Sequence, residues 1–555
     1  VTAPELAPAA GGAVPVVQWL RQRVPARAHL RLDSRQVEPG DVFFAVAGRR
    51  TDGATYVASA LARGAAAILV DDEAVPAALL APGTNAGAAP PILAVHGLRP
   101  SLGAIAAEYY GHPTAALQPI GITGTNGKTS SCIWLAQVLA AAGLPCATLG
   151  TLGFGLPGAL RGGDSTLTTP DALSVQRLAR EALDSGARRL AMEVSSIGLD
   201  QGRVDGVDFA VALFTNLTRD HLDYHADMAA YAAAKRTLFF WPGLRHAVLN
   251  LDDAFGRELA GVLARQRGPR RTTVIGVGTR AANDPQIAAL ALDVHLQARD
   301  IRMRSDGLRF TLECRRMGGT GQALAGGEPL AQLGALETAD LDTSVLGDFN
   351  VANLLGVVGA ALACGLRLAD AAGAAARLQA PPGRLQRVAS EAAPMGAGGA
   401  IAIDEPLAVV DYAHTPDAIA KALQALRPVA QARNGRLWIV FGAGGDRDRG
   451  KRPAMAAAAA AADAIVLTSD NPRSEDADSI IDQVAAGIPP GFAWSRHVDR
   501  GAGIRAALHA AATRDVVLIA GKGHENTQEI AGQRLPFSDV AMARAALRER
   551  LDGAA

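Results

Sequence analysis

The chain has 555 residues, 49% hydrophobic and 19% charged, which is too long for one ordinary core and apolar enough to bury several. Lys+Arg and Asp+Glu both number 54, so formal net charge is zero and gives no support for a general nucleic-acid-binding surface. No apolar run reaches the ~18 residues of a membrane span, the start "VTAPELAPAAGGAVPVV" lacks the basic lead of a secretory signal, and the scattered Cys132, Cys146, Cys314 and Cys364 read as reduced thiols of a cytosolic protein.

In chain order, "DVFFAVAG" predicts a strand, and "YVASALARGAAAILVDD" a helix and a second strand, together a small α/β unit. The Ala-, Pro- and Gly-rich run at 71–91 predicts a surface excursion, and "YYGHPTAALQP" at 109–119 a linker. From Ile120 the pattern alternates, with strands expected at 190–194, 209–214 and 246–249 and helices at 128–142, 171–185 and 227–239. That rhythm indicates a mostly parallel sheet covered by helices. Residues 268–345 are less regular and are expected to hold β structure or insertions. "LLGVVGAALACGL" at 354–366 predicts a buried helix, and "QAPPGRLQRV" at 379–388 a boundary. Beyond it, strands are expected at 407–411, 436–441, 464–468 and 515–520, with an Ala-rich helix at 454–464. The resulting division is 1–112, 113–380 and 381–555.

"PIGITGTNGKTSSCIWLAQVLAAAG" at 119–143 combines a strand, a Gly-rich turn and a helix. Gly124 and Gly127 permit close backbone approach, Lys128 can meet phosphate charge, and Thr129 can offer a hydroxyl to Mg²⁺. The helix presents its N-terminal amides and the positive end of its dipole. A strict P-loop needs glycine where Ile122 stands, so the loop is a departure with a compact "TGTNGKT" core. An ordinary strand–helix turn is the plain alternative. Nucleotide phosphate is the stronger reading, although a hydrolase, a kinase or a ligase could use such a loop.

Glu193 falls near the C-terminal end of a predicted strand, the edge where open α/β sheets hold ligands, and a carboxylate there can bind Mg²⁺. A helix cap or a surface acid is the alternative. His221 shares one loop with Asp220, Asp223 and His225, without the paired histidines of a zinc helix. Lys235, ending "YAAAK", reads on its own as an exposed helix lysine. In "SDNPRSED", Arg473 framed by Asp470 and Asn471 after a buried strand looks placed to hold something.

"GTNGKTS", "AMEVSS", "FTNLTRDHLDYH", "VLGDFNVANLL", "VVDYAHTPDA", "FGAGGDRDRGKRP", "SDNPR" and "AGKGHE" occur in this order. Across about 32–540 the chain thereby resembles the Mur ligases of peptidoglycan synthesis, nearest the branch that adds the third peptide residue. The resemblance implies an α/β protein of three domains: an N-terminal domain for the UDP end, a central P-loop-type ATPase domain, and a Rossmann-like C-terminal domain for the incoming amino acid. It implies transfer of the ATP γ-phosphate to a carboxylate and attack of an amine on the acyl phosphate. The implied partners are UDP-MurNAc-dipeptide, meso-diaminopimelate and ATP with Mg²⁺, and the implied setting is a cytoplasmic monomer that neither binds nucleic acid nor inserts in a membrane.

Residue by residue, the resemblance gives the ATP loop as Gly124, Thr125, Asn126, Gly127, Lys128, Thr129 and Ser130. It puts Thr129, Glu193 and His221 at magnesium-associated positions, with Lys235 as a carbamate. Asn350 and Arg384 fall on the nucleotide side, and Asp411 and His414 face the reaction centre. Leu32, Ser34, Arg49, Arg50, Thr51, Thr168, Thr169, Ser195, Gln201 and Arg203 match contacts to the UDP substrate. Arg447, Asp470, Asn471, Pro472, Arg473, Gly521 and Glu525 match contacts to the amino acid. The sequence departs from the family at Ile197, where histidine is common, in Arg161–Leu167, and in a long 390–406 segment. A folylpolyglutamate synthetase and an ATPase switch driven by partner binding are the competing readings.

Overall fold

The computed structural model describes residues 5–6, 12–48, 52–72, 90–162, 167–265, 272–304, 306–317, 330, 333–390 and 405–552. Most of the 71–91 excursion and of the 390–406 segment, and part of Arg161–Leu167, lie outside them. The chain forms two compact units that divide between Ile275 and Gly276.

The first unit carries two sheets. In the N-terminal one the strands run Glu5–Leu6, Ile92–Val95, Ala67–Asp71, Val42–Ala45 and Leu30–Arg31, all parallel. The strands 42–45 and 92–95 are buried at every position, so they show no alternation in the sequence. In the second sheet the order is His246–Asn250, Val211–Phe214, Ile120–Thr123, Arg189–Glu193, Cys146–Gly150 and Gly153–Gly155, parallel except for the final hairpin. Ile120–Thr123 is therefore central, and its helix Lys128–Ala141 packs Trp134, Leu135, Val138 and Leu139 at 1% exposure or less. Burying each such side chain contributes ~1.5–3 kcal/mol, so the strand–loop–helix unit is rigidly seated. The helix Ala172–Asp184 starts where Asp171 accepts hydrogen bonds from the amides of Leu173 and Ser174 at 3.1 and 3.0 Å.

The expected helix at 227–239 is two elements: an α-helix Met228–Arg236 and a 3₁₀ turn Thr237–Phe240 that buries Leu238 and Phe239. The expected linker at 109–119 is structured. It follows the helix Leu98–Tyr109 and contains the short helix Pro113–Leu117, with Pro113, Thr114 and Leu117 buried.

In the second unit the region read as irregular holds the long antiparallel strands Val294–Arg304, Gly307–Arg316 and Leu336–Thr343. The helix Phe349–Ala363 is apolar apart from Asn350 and Asn353 and almost wholly buried. A six-stranded sheet follows in the order Gln386–Val388, Leu407–Asp411, Val516–Ala520, Leu437–Phe441, Ala464–Thr468 and Trp494–His497. Only its first pair is antiparallel. The Ala-rich helix covers Lys451–Ala459 and stops short of the expected end, because Ala464 already belongs to the next strand. The hairpin Thr527–Ile530/Gln533–Pro536 stands outside this sheet.

Candidate active site

In the first unit the loop 124–127 leaves the C-terminal end of a central strand, where α/β sheets bind ligands. Gly124 has φ +151°, and a Cβ there would collide with Thr215 Oγ1. A neighbouring loop holds it in place. The Thr125 amide donates to Asn216 O at 2.8 Å and the Asn126 amide to Asn216 Oδ1 at 2.9 Å. Thr215 Oγ1 donates to Asn126 O at 2.6 Å. The helix that follows has no side-chain cap, so its first amides stay available to an anion.

Two ammonium groups meet at one carbonyl. Lys128 Nζ donates to Gly124 O and Thr125 O at 2.9 Å each, and Lys235 Nζ donates to Gly124 O at 2.8 Å. Lys235 is 1% exposed, with its Nζ 4.4 Å from the centre of the Tyr231 ring. Burial, then the Lys128 charge, hold its pKa well below that of an ordinary lysine. The exposed lysine suggested by the local pattern is thus a buried amine prone to lose its proton.

Glu193, 2% exposed, ends its strand against hydroxyls and one amide. Thr129 Oγ1 donates to its Oε2 at 2.9 Å, the Thr151 amide to its Oε1 at 2.8 Å, and Thr151 Oγ1 to Oε2 at 3.3 Å. It caps no helix and lies off the surface. His221 adopts φ +53°, with its amide on Asp220 Oδ1 at 2.8 Å. Burial lowers its pKa; Asp220 opposes this, while Lys128 and Lys235 add to it.

The matched substrate residues continue from Glu193. Thr169 Oγ1 donates to Glu193 O at 3.0 Å and accepts the Ser195 amide at 3.0 Å. Arg203 reaches Thr169 O at 3.0 Å and Gln201 Oε1 at 2.6 Å, and Thr168 Oγ1 accepts from Thr151 Oγ1 at 3.2 Å. Leu32 and Ser34 line a cleft of about 1010 Å³ with Arg35, Tyr56, Phe154 and Arg177. Arg49, Arg50 and Thr51 lie outside the described residues.

In the second unit Asn350 is buried, with its amide on Leu346 O at 2.7 Å. The Arg384 guanidinium lies 4.6 Å from the centre of the Tyr412 ring. Asp411 accepts the amides of Leu385 and Ala413 at 2.8 Å each, and burial raises its pKa against Arg384 and those amides. Exposed His414 holds Tyr412 O through Nδ1 at 2.7 Å.

The "SDNPR" loop ends the strand Ala464–Thr468 beside "GKGHE", which ends Val516–Ala520. Lys522, with no exposed side-chain surface, donates to Asn471 Oδ1 and Glu525 Oε2 at 2.9 Å each, and Asn471 Nδ2 donates to Glu525 Oε2 at 3.0 Å. Gly521 has φ +119°, and a Cβ there would lie 2.5 Å from Asp470 Oδ2. Arg473, also at positive φ, donates to Gly445 O at 2.6 Å and has Nε 3.5 Å from Glu529. Its ionic partner is therefore Glu529 on the hairpin, not an aspartate of its own loop. Pro472 is buried, and Arg447 sits exposed on the loop before Lys451–Ala459.

Sequence reasoning passed over Thr151, which has no motif, and Lys522, which lies inside a quoted one. It also passed over Arg500, which is fully buried. Arg500 pairs with Asp539 at 2.7 Å and binds Ala520 O at 2.9 Å and Ser469 O at 3.3 Å, joining the ends of two strands.

Family models match three stretches: the Mur ligase family catalytic domain at 28–110, the Mur ligase middle domain at 122–361, and the Mur ligase glutamate ligase domain at 400–523. A UDP-N-acetylmuramoyl-L-alanyl-D-glutamate--2,6-diaminopimelate ligase from Acidovorax sp. (strain JS42) is 47% identical over 546 residues, covering 96% of this chain and 97% of that one. One of the same name from Pseudomonas aeruginosa is 46% identical, covering 93% and 94%. A solved structure of such a ligase superposes with a TM-score of 0.61 at 33% identity, covering 94% and 95%. A Thermotoga maritima MurF ligase in complex with ADP shares the fold at 16% identity, with a TM-score of 0.56 and coverage of 96% and 99%. With three family-model matches and full-length relatives of this kind, the chain belongs to the Mur ligase family and has its three-domain α/β architecture.

Proposed function

We propose that the chain is an ATP-dependent amide ligase that adds meso-diaminopimelate to UDP-N-acetylmuramoyl-L-alanyl-D-glutamate in peptidoglycan precursor synthesis. The full-length likeness to ligases of that name carries the reading. The three family-model matches support a division into domains at 1–112, 113–380 and 381–555. We place the reaction in the cytoplasm, where ATP is available, with one chain as the working unit.

A carboxylate resists amine attack because it would have to expel oxide. Transfer of the γ-phosphate makes an acyl phosphate and ADP. The amine then adds to the carbonyl carbon, gives up a proton, and phosphate leaves as the amide forms. Lys128 and the first amides of its helix suit the phosphate oxygens during transfer. Thr169, Ser195, Gln201 and Arg203 form one bonded set suited to orienting the acceptor. The cleft at Leu32 and Ser34 suits the uridine end.

Mg²⁺ favours oxygen donors, and the Thr129 hydroxyl and Glu193 carboxylate, 2.9 Å apart, fit that preference. The family resemblance adds His221, whose pKa burial lowers. Lys235 fits only as a carbamate, and its depressed pKa favours the neutral amine that reacts with CO₂. Bound there, the ion would neutralise charge developing on phosphate oxygens. Protein exposed to ¹³C-bicarbonate should show one carbamate carbonyl resonance that Lys235→Ala lacks; an identical spectrum from the variant rules the carbamate out.

In the second unit, Asp470 and Glu525 suit ammonium groups. Arg473 suits the far carboxylate of meso-diaminopimelate, where L-lysine would bring a repelled ammonium. The test is a panel of amino acids with the UDP-MurNAc-dipeptide and ATP, products identified by mass. Phosphate release should need both cosubstrates, and Arg473→Ala should cut the preference for meso-diaminopimelate by about one to two decades. Preference for L-lysine, glutamate addition to a folate, or full ATP hydrolysis without cosubstrates would each overturn the assignment.

A further inference from the structure

Arg452 is the first-turn arginine of the helix Lys451–Ala459, and its side chain has no exposed surface. Its Nη2 meets Glu475 Oε1 at 2.8 Å and Gly444 O at 3.1 Å, and its Nη1 meets Glu475 Oε2 at 3.1 Å and Gln483 Oε1 at 2.7 Å. Glu475 also accepts the Asp446 amide at 2.6 Å and lies 3.1 Å from Arg449. A guanidinium is costly to bury, and it is held here by a bidentate carboxylate that belongs to a different loop.

The two loops so joined are 444–450, which carries Arg447, and 469–476, which carries Arg473. Other bonds stitch them along their length. The Gly445 amide donates to Asn471 O at 2.9 Å, Arg473 Nη1 to Gly445 O at 2.6 Å, and Ser474 Oγ to Asp446 Oδ1 at 2.6 Å. Asp446 and Arg473 both sit in left-handed backbone, at φ +53° and +54°. Non-glycine residues keep that conformation only where their surroundings impose it. The Glu475 carboxylate imposes it at Asp446. The hairpin imposes it at Arg473, whose amide donates to Glu529 O at 3.0 Å and whose carbonyl accepts from the Ala531 amide at 2.8 Å.

We infer that Arg452 and Glu475 are positioning residues: their buried pair fixes Arg473 relative to Arg447, and so sets the discrimination between an amino acid ending in a carboxylate and one ending in an ammonium. This rests on the reading of the "SDNPR" loop given above. Neither residue needs to touch the amino acid. A loosened pair leaves Arg473 on the hairpin but lets the 444–450 loop, with Gly445 and Arg447, shift against it, and a guanidinium pair of unfixed spacing distinguishes the two ligands poorly.

The test compares wild type, Glu475→Gln, Arg473→Lys and the double variant, with meso-diaminopimelate and L-lysine as substrates. Glu475→Gln should raise KM for meso-diaminopimelate about tenfold, with kcat and KM for ATP within about twofold. The meso-diaminopimelate to L-lysine preference should fall about tenfold, and adding Arg473→Lys should cost far less than it does in wild type. A lowered Tm with an unchanged preference, or fully additive effects, would mean that the pair only stabilises the fold and would overturn the inference. If Glu475→Gln does not fold, Glu475→Asp replaces it: it keeps the charge but shortens the reach to Arg452 and to the Asp446 amide, and should lower the preference severalfold, while no change overturns the proposal. The underlying site reading fails separately, if wild type prefers L-lysine or if Arg473→Ala leaves the preference alone.

Discussion

The crevice at Gly124 in the first unit and the 444–450 and 469–476 loops of the second hold their charged groups in different ways. In the crevice, two lysines share the Gly124 carbonyl, and Glu193 is held by hydroxyls and an amide rather than by a cation. Both lysines meet backbone carbonyl oxygen there, and burial favours the neutral form of Lys235. In the second unit four cations around the loops each meet a carboxylate: Lys522 with Glu525, Arg452 with Glu475, Arg473 with Glu529, Arg500 with Asp539. A balanced network gains little from charge alone and serves to fix geometry. The first site should therefore yield mainly rate when altered, and the second mainly selectivity.

The largest expected effect is at the Gly124 crevice. Lys128→Ala should lower turnover about a thousandfold or more, measured by ADP release with product mass, while the circular dichroism spectrum and Tm stay near wild type. Near-normal turnover in a folded variant would break the comparison at its first term. Next, Asp539→Ala should cost about 3–5 kcal/mol in denaturant unfolding, because it strands Arg500 in the interior without its carboxylate. A loss under about 1 kcal/mol would mean that the second network is ornamental.

The smallest expected effect is a pH dependence at Asp470. Burial raises its pKa above the ordinary 3.8, with Arg500 and Lys522 pulling it back. An aspartate with a raised folded pKa contributes stability fully present below its unfolded value and lost as pH rises through the folded one. Ammonium binding follows the opposite course, because it needs the ionised form. Between pH 4 and the raised value, KM for the amino acid should fall as pH rises while Tm also falls. Asp470→Asn should flatten both profiles; unchanged slopes would remove Asp470 from the site.

Much of this was legible in the residues because phosphate loops, strand ends and helix starts are local events. The helix expected at 128–142 runs Lys128–Ala141, and the strand expected at 407–411 is Leu407–Asp411. What escaped depends on contacts distant in sequence. One lysine in "YAAAK" carries no mark of burial, yet Lys235 reaches the Gly124 carbonyl. Nothing in "SDNPRSED" points to the partner of Arg473, which is Glu529 on the hairpin, more than fifty residues on. The strand Val294–Arg304 is buried over its first half and exposed over most of the second, so neither alternation nor a continuous apolar run announced it.

The strand order of the C-terminal sheet has a consequence for how the chain is made. Val516–Ala520 is inserted between Leu407–Asp411 and Leu437–Phe441, so the strand synthesised last of the six lies at the middle of the sheet. Until it leaves the ribosome, the strands Leu407–Asp411 and Leu437–Phe441 have no native neighbour to join them, and both present unpaired apolar edges. Pairings of such long sequence separation close slowly. A nascent chain stalled before Val516 should therefore be a strong chaperone client, and one extended beyond Ala520 should fold its sheet in a single late step.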